Sequence, residues 1–289
     1  MLSRLENAMK GMTRRTFVSS LVGGVAAMAL YGCGGSNQSS GDSDSTDSAT
    51  KAENYKLVSD GTLTVAYSNG FPPMEFSTED GSDTQGFDID LIKAIADKLG
   101  LECKILASQN FDTLIPTIKA GGTADVAISS ITITDERGEE VDFTNPYLAS
   151  NQAILALKTS PYDSTDDFNQ SGIKVSATAG STGEAWAEEN LPNATFVPVD
   201  SYVDSFTGCL TGLYTAVVAD LPVANYLVNT SYDGLKVCVE IPTGEEYGIA
   251  VSKDNPGLTE AINNALSGLD GDGTMDSLKT KWFGTTEGM

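Results

Sequence analysis

The sequence predicts an α/β protein with two lobes, built from parallel-dominated sheets with flanking helices and two hinge crossings. From Leu57 onward, strand-like runs alternate with helical patterns, the order typical of sheets that carry helices on their faces. The alternation comes in two successive sets, and the chain then returns with one more strand and helices. We therefore expect residues 55–151 and 248–289 to form the first lobe and residues 152–247 to form the second.

The first set contains two amphipathic helices and three short strands. Apolar side chains on one face predict a helix from Asp88 to Leu99, ended by Gly100. A second helix is predicted around Leu114, and Pro116 requires that it begin just before that residue or bend there. The strands of this set are predicted at residues 63–67, 103–106 and 125–128.

The second set repeats this pattern. Helices are predicted from Thr182 to Asn190 and from about Val203 to Leu213, and a last helical stretch covers residues 258–269. Strands are predicted at residues 153–157, 173–176, 196–199, 216–219, 237–239 and 247–251. In a fold of this kind a ligand lies in the cleft beyond the carboxyl ends of the strands.

Residues 1–33 have the features of an export signal. The pair Arg14-Arg15 precedes an apolar run from Phe17 to Gly32, which is shorter than the roughly 20 residues that a membrane span needs. The arginine pair resembles a twin-arginine signal, which is recognised by a receptor. Met12 lies just before the pair and offers an alternative start of translation.

The apolar run ends in Leu-Tyr-Gly-Cys, which resembles the lipobox of bacterial lipoproteins. Cys33 is therefore predicted to carry a lipid and to become the first residue of the mature protein. The alternative is an ordinary cysteine near a cleavage site without lipid. Residues 34–54 are rich in Gly, Ser, Thr and Asp and almost free of apolar side chains, so they are predicted to form a disordered tether.

Composition excludes several classes of function. The chain has 17 basic and 40 acidic residues, a net charge of −23, and such a surface repels nucleic acid. It contains no histidine, so Ser-His-Asp and Cys-His catalysis are excluded and the commonest zinc ligand is missing. No cofactor or metal site is predicted.

Three cysteines remain after the export signal, Cys103, Cys209 and Cys238. Because the number is odd, at least one is free or pairs with another chain. Cys103 and Cys238 lie in strand-like runs, where buried free cysteine is common. We expect three buried thiols, and a Cys209–Cys238 bridge is the alternative.

Eight short motifs in a fixed order carry a resemblance to a known family over residues 57–284. They are FPPMEF (71–76), GFDIDL (86–91), FDTLIP (111–116), SSITITDER (129–137), VDFTNPY (141–147), AGST (179–182), AVVAD (216–220) and EYGIA (246–250). With them the sequence resembles the polar amino-acid binding proteins of bacterial ABC importers, which have the periplasmic-binding-protein-like type II fold.

The resemblance implies a site for an amino-acid zwitterion. Arg137 would grip the ligand carboxylate with two parallel hydrogen bonds, and Asp220 from the other lobe would receive the α-ammonium group. Hydroxyl or backbone groups of Ser130 and Thr132 would add contacts from the first lobe. Ser181 and Thr182 open a helix whose backbone N–H groups would meet the carboxylate.

The resemblance also implies a slot for the ligand side chain, walled by Phe71 and Phe111. Relatives that bind cationic or amide side chains often carry an acid three residues before the first slot aromatic. Here that position is Ser68. The departure weakens the case for lysine, arginine or histidine and favours a neutral or small polar amino acid.

Each of these residues also has a purely structural interpretation. Arg137 can be a solvated side chain paired with Glu136 or Glu139, and Asp220 can simply cap the following helix. The two phenylalanines can be core aromatics, and the Ser-Thr pair can be a plain helix cap. Gly86, Phe87 and Asp88 are expected to be structural: a turn, a core residue and a helix cap.

By the resemblance, the protein is a monomeric, extracytoplasmic substrate-binding component of an ABC importer. It would capture an L-amino acid by hinge closure near Ser150–Gln152 and Glu246–Gly248, and dock on permease subunits. It would be held to the membrane by its N-terminal lipid. The main alternative is a secreted cyclohexadienyl or arogenate dehydratase-like enzyme on the same fold, with Glu75 or Glu184 as the acid. A sensory domain is disfavoured because no membrane span follows the second lobe.

Overall fold

Two mixed five-stranded sheets form the frame of the molecule in a computed structural model that describes residues 54–284. The strands are β1 (Thr62–Ala66), β2 (Phe76–Ser77), β3 (Thr84–Gln85), β4 (Glu102–Ile105), β5 (Val126–Ala127), β6 (Asp142–Phe143), β7 (Leu148–Leu157), β8 (Lys174–Thr178), β9 (Thr195–Val199), β10 (Ala216–Asp220), β11 (Leu235–Tyr247) and β12 (Ala250–Val251). The helices are α1 (Phe87–Leu99), α2 (Leu114–Ala120), α3 (Asp135–Glu140), α4 (Thr165–Phe168), α5 (Thr182–Asn190), α6 (Tyr202–Leu210), α7 (Leu221–Thr230), α8 (Pro256–Gly271) and α9 (Thr274–Phe283).

The first sheet has the strand order β4-β1-β5-β12-β6. Strand β1 runs parallel to β4 and β5, whereas β12 is antiparallel to both of its neighbours. Helix α1 lies against this sheet because Leu91, Ile92 and Ile95 fall on one face and are fully buried. The C-terminal helices α8 and α9 pack against α1, so the end of the chain belongs to this half of the molecule.

The second sheet has the strand order β11-β7-β10-β8-β9. Strand β8 is parallel to β9 and β10, and β7 is antiparallel to β10 and β11. Within the described residues, the two sheets therefore contain as many antiparallel as parallel pairings rather than mostly parallel ones. The reason is that the chain leaves the first sheet through β7 and returns to it through β11 and β12, in opposite directions.

These two passages between the sheets lie side by side. Strand β11 pairs with β7 along most of its length, and its register shifts between Ile241 and Glu245. The aromatic rings of Tyr147 and Tyr247, at the two passages, are 6.1 Å apart between centroids. Both belong to one apolar cluster that includes residues of both sheets. The described residues all fall within one compact unit, Thr50–Met289.

Several local expectations change in the structure. Helix α6 ends at Leu210 because Gly212 turns the chain with a φ of 79°, and α7 follows β10 directly, with Pro222 in its first turn. Helix α2 starts at Leu114 and tolerates Pro116 because the proline lies in the first turn, where its missing N–H has no helical partner. The last helical stretch continues into a second helix.

The three cysteines in the described residues are free thiols. Cys209 is buried, but Cys103 and Cys238 are half-buried, so the expectation of three buried thiols was wrong for these two. Burial raises the pKa of Cys103 to about 11 and that of Cys209 to about 12, so both thiols stay protonated at neutral pH and are poor nucleophiles.

Gly86 gives a first test of the fold. Its φ of 138° and ψ of 175° suit glycine alone, and a Cβ atom there would lie 2.0 Å from the carbonyl oxygen of Met74. We expect Gly86→Ala to lower the free energy of unfolding by more than about 2 kcal/mol, measured by urea denaturation.

The matched control is Gly81→Ala. Gly81 also has a positive φ, 68°, but a Cβ atom there would meet nothing within 4 Å. This variant should lose only about 1 kcal/mol from the left-handed backbone. Equal losses in the two variants would contradict the close approach of Met74.

Candidate functional site

Arg137 lies on α3, at the edge where the two halves of the molecule meet. The Thr134 hydroxyl accepts a hydrogen bond from the Arg137 N–H, which caps this short helix and fixes where the arginine points. The guanidinium donates to the Thr132 carbonyl at 2.7 Å and, across the cleft, to the Gly180 carbonyl at 2.8 Å. It also lies 5.5 Å from the centre of the Phe111 ring.

Arg137 is therefore a cleft residue rather than a solvated arginine paired with Glu136 or Glu139. Its contacts join the first half of the molecule to the loop before α5. Gly180 packs so closely on this side that a Cβ atom there would lie 2.9 Å from the Cβ of Asp112. The cleft is closed in this structure.

Asp220 ends β10 and occupies the position that caps α7, but its side chain makes no capping hydrogen bond. It is 4% exposed and accepts hydrogen bonds from Gln152 Nε2, at 2.7 Å, and from the Tyr247 hydroxyl. Burial raises the pKa of Asp220 to about 7, and the charge of Glu245 acts in the same direction. The structure thus rejects the helix-cap interpretation of this residue.

Arg137 and Asp220 lie near each other without direct contact. The positive charge of Arg137 lowers the pKa of Asp220, although less than burial raises it. Among the described residues, no ion pair joins the two side chains within 4 Å. Within the part of the chain that the structure describes, the site therefore presents a guanidinium that has carbonyl acceptors but no acidic partner, and a buried carboxylate in the same part of the cleft.

An aromatic slot lies beside these charges. Phe71 stacks on Tyr202 from α6, with 4.1 Å between ring centroids, so the two halves of the molecule are in aromatic contact here. A small cavity of about 10 Å³, room for about one water, lies between the halves and is lined by Ser68, Phe71, Glu75, Phe111, Ser130 and Tyr202, among others. The two phenylalanines border this cavity, and Phe71 is also part of the apolar core.

Glu75 lines the slot, and a second buried acid, Asp88, lies against it. Glu75 is 1% exposed and Asp88 is fully buried, and burial raises the pKa of Glu75 well above its usual value and that of Asp88 to about 7. Glu75 Oε2 and Asp88 Oδ1 have no donor among the described residues, although the two carboxyl groups are close enough to hydrogen-bond. One proton shared between them satisfies both oxygens.

Asp88 shapes the loop that carries the predicted contacts of the first half. Its Oδ2 accepts hydrogen bonds from the Ser130 backbone N–H, at 2.7 Å, and from the Tyr147 hydroxyl, at 3.0 Å. Ser130 has a positive φ of 49°, which is uncommon for a residue other than glycine. The expectation that Asp88 caps α1 was wrong, because that helix has no side-chain cap.

Ser181 and Thr182 have different roles. Ser181 caps α5 by accepting a hydrogen bond from the Glu184 N–H, so its side chain is a plain helix cap. The hydroxyls of Thr132 and Thr182 both donate to Glu245 Oε2, at 2.9 and 3.0 Å. Ser68 reaches the site through its backbone N–H, which donates to the Ser129 hydroxyl at 3.1 Å.

The motifs missed several residues that the structure brings into the site: Glu75, Asp88, Gln152, Tyr202, Glu245 and Tyr247. Glu75 and Asp88 stand inside quoted motifs, so a buried acid between apolar neighbours was a usable signal. Gln152, Tyr202 and Glu245 lie in segments with no distinctive pattern, and only the packing of β7, α6 and β11 brings them together. In residues 54–284, no cluster of three or more acidic or cysteine side chains is arranged to hold a metal ion.

Two α/β halves that close on a polar slot, with a cationic fork and a buried carboxylate, define a binding protein for a small solute. A family model confirms this class over residues 63–285. The chain belongs to the bacterial extracellular solute-binding proteins, family 3.

Three relatives show the similarity. The chain is 34% identical over 218 residues to ABC transporter arginine-binding protein 1 of Escherichia coli (strain K12), covering 74% of this chain and 87% of the relative. An ancestral arginine-binding protein bound to glutamine is 40% identical, with a TM-score of 0.72 and coverage of 78% and 98%. An ancestral amino acid-binding protein described as a precursor of cyclohexadienyl dehydratase is 35% identical, with a TM-score of 0.71 and coverage of 77% and 96%.

These findings confirm the predicted two-lobe fold and the predicted family. Because the family is extracellular, the protein is an exported one. The predicted export signal at residues 1–33, lipidation of Cys33 and most of the tether lie outside the described residues. Within residues 54–284, no helix has the length and apolar character needed to cross a membrane.

The buried acids make a pH dependence testable. Glu75, Asp88 and Asp220 have raised pKa values in the folded protein, so between about pH 4 and 7 the folded state binds protons that the unfolded chain releases. The free energy of unfolding must therefore fall as pH rises through this window. We expect the ligand-free protein to be less stable at pH 8 than at pH 5.5 by on the order of 2 kcal/mol, measured by urea denaturation.

The control variant is Asp220→Asn, which keeps the size of the side chain and one acceptor oxygen but does not titrate. Charges on the surface are the same in both proteins, so the difference between their losses of stability comes from the cleft. The variant should show a smaller loss of stability between the two pH values. An identical loss would show that Asp220 titrates normally.

Proposed function

We propose that the protein is the extracytoplasmic substrate-binding component of an ABC importer for an L-amino acid whose side chain ends in N–H donors. The observation that carries the proposal is the pair of unjoined charges in the closed cleft, Arg137 and Asp220. A fork of two N–H donors matches a carboxylate, and a buried carboxylate needs a cation. The zwitterionic end of an amino acid supplies both.

The acid that lines the slot supports the side-chain class. The absence of an acid at Ser68 favoured a neutral ligand, but Glu75 brings a carboxyl group to the same cavity. Its Oε2 shares a proton with Asp88, and a guanidinium, an ammonium or an amide group of the ligand can replace that proton as the donor. The similarity to an arginine-binding protein that was solved with glutamine fits a slot that accepts N–H donors of either kind.

Closure is the proposed mechanism. Residues 55–151 with 248–289, and residues 152–247, would move as two lobes about the paired passages near Ser150–Gln152 and Glu246–Gly248. A ligand stabilises the closed form only by its differential affinity for that form. Contacts from both lobes supply the difference, because Arg137 and Phe71 lie on the first lobe and Asp220 and Tyr202 lie on the second.

Delivery would take place at the membrane. We propose that residues 1–33 direct export, that Cys33 carries the lipid anchor, and that residues 34–54 tether a monomeric binding domain near its permease. The similarity to a transporter binding protein supports the permease as the partner. No catalytic role is proposed: Glu184 accepts a hydrogen bond from the Gly180 N–H, and Glu75 is assigned to recognition of the ligand side chain.

A ligand panel tests this function. Residues 34–289 are screened by thermal shift against the common L-amino acids, with prephenate and arogenate included. A ligand at 100 times its dissociation constant adds about 2.7 kcal/mol to the free energy of unfolding, which is a readable rise in melting temperature. Shifts with L-arginine, L-glutamine or similar amino acids are expected. Turnover of prephenate or arogenate, or no amino-acid shift, would overturn the proposal.

Arg137 provides the first mutational test. We expect Arg137→Ala to raise the dissociation constant at least about 30-fold, because truncating one partner of a buried charge pair costs about 2–5 kcal/mol. The measurement is titration calorimetry with the best ligand of the panel. Arg137→Lys is the matched control: it keeps the charge but loses the fork, so its loss should be smaller. Unchanged affinity in Arg137→Ala would remove this residue from the site.

Glu75 provides the test of the side-chain slot. Glu75→Gln keeps the size of the side chain, and its amide can donate to the free oxygen of Asp88. We expect the affinity for L-arginine to fall about 10-fold, because a charge-assisted hydrogen bond is lost, and the affinity for L-glutamine to fall less. Calorimetry with both amino acids measures the ratio. A ratio that the substitution does not change would place the ligand side chain elsewhere.

A further inference from the structure

Glu245 is the residue that holds the polar centre of the cleft together. It lies on β11, directly after the register shift, and opposite Ser150 of β7. Its Oε2 accepts hydrogen bonds from the hydroxyl of Thr132, at 2.9 Å, from the hydroxyl of Thr182, at 3.0 Å, and from Gln152 Nε2, at 3.1 Å. One carboxylate oxygen thus collects donors from both lobes.

These contacts decide whether the hydroxyls of the two threonines donate or accept hydrogen bonds in the cleft. A hydroxyl has one proton to donate and two lone pairs that accept. In Thr132 and Thr182 the proton is already directed at Glu245. The hydroxyl of Thr132 therefore presents only lone pairs to the cleft, and so does that of Thr182, which lies 3.3 Å from Gln152 Nε2.

Asp220 is connected to this group of side chains through Gln152. Gln152 Nε2 donates to Asp220 Oδ1 at 2.7 Å and to Glu245 Oε2 at 3.1 Å, so the two carboxylates lie on either side of one nitrogen. The charge of Glu245 also raises the pKa of Asp220. Acceptors with no donor of their own to offer thus surround the place where the proposed function puts the ligand ammonium group.

We propose that Glu245 is a positioning residue for ammonium recognition: by taking the hydroxyl protons of Thr132 and Thr182, it turns these side chains into acceptors. The inference rests on the proposed function. It assigns the hydroxyls of Thr132 and Thr182 to the ammonium end of the ligand. The ligand carboxylate is left to Arg137 and the backbone N–H groups at the start of α5.

The test compares two probes that differ only at the ammonium group. L-Arginine and its α-hydroxy acid, 5-guanidino-2-hydroxypentanoate, share the carboxylate and the guanidinium. Competition calorimetry measures the ratio of their affinities in the wild type, in Glu245→Ala and in Glu245→Gln. The same pair is made for L-glutamine if the panel shows that it binds more tightly.

We expect Glu245→Ala to weaken the amino acid at least 10-fold and the hydroxy acid much less, so that the affinity ratio collapses. The hydroxy acid is insensitive because its own hydroxyl can donate or accept. Glu245→Gln keeps an oxygen acceptor for the two threonines and should recover part of the ratio. Circular dichroism spectra and urea midpoints of the variants establish that they are folded.

Other outcomes overturn the inference. An equal loss of affinity for both probes would mean that Glu245 only stabilises the contact between the lobes. Tighter binding in Glu245→Ala would mean that Glu245 competes with the ligand carboxylate. An unchanged affinity would remove it from the site. If the wild type binds neither L-arginine nor L-glutamine, the proposed function is wrong. If the wild type binds its amino acid and the Glu245 variants bind it equally well, only the inference about Glu245 is wrong.

Discussion

A surplus of carboxyl groups over cations in the closed cleft governs this molecule. Glu75, Asp88 and Asp220 are buried, Glu245 is half-buried, and the cation Arg137 lies near Asp220 and Glu245. A buried carboxylate is stable only if donors or a proton compensate for its lost hydration. Serine, threonine, tyrosine and glutamine side chains supply part of this compensation, and a ligand that brings an ammonium group supplies the rest. Closure of the cleft and recognition of the ligand therefore depend on the same electrostatic interactions.

The fold places these groups by running the chain twice between the sheets. Strands β7 and β11 pair along both passages, so Gln152 on one strand and Glu245 on the other face the same point of the cleft. Tyr147 and Tyr247 pack at the passages, and each hydroxyl donates to a buried acid, Asp88 or Asp220. The aromatic contact that joins the lobes is therefore connected to the carboxylates on both sides of the slot.

Much of the architecture could be predicted from periodicity. Helix α1 was predicted to within one residue because its apolar face is regular and Gly100 ends it with a left-handed backbone. The antiparallel strands β7 and β11 were only partly predicted, because strand direction depends on which neighbours a strand finds and leaves no local pattern. Helix α7 was not predicted either, because its first turn follows β10 without an intervening loop.

The sequence by itself determined the family and the two alternating sets of strands and helices, since these depend on local pattern and ordered motifs. The resemblance also proposed Arg137 and Asp220 as cleft residues but left their structural alternatives open. Only the tertiary structure decided what their neighbours do. It showed that Asp220 does not cap α7, that Asp88 binds the Ser130 loop, and that Glu245 takes the threonine protons. Such roles depend on which donors and acceptors meet across more than 40 residues of chain, and a linear sequence does not encode those meetings locally.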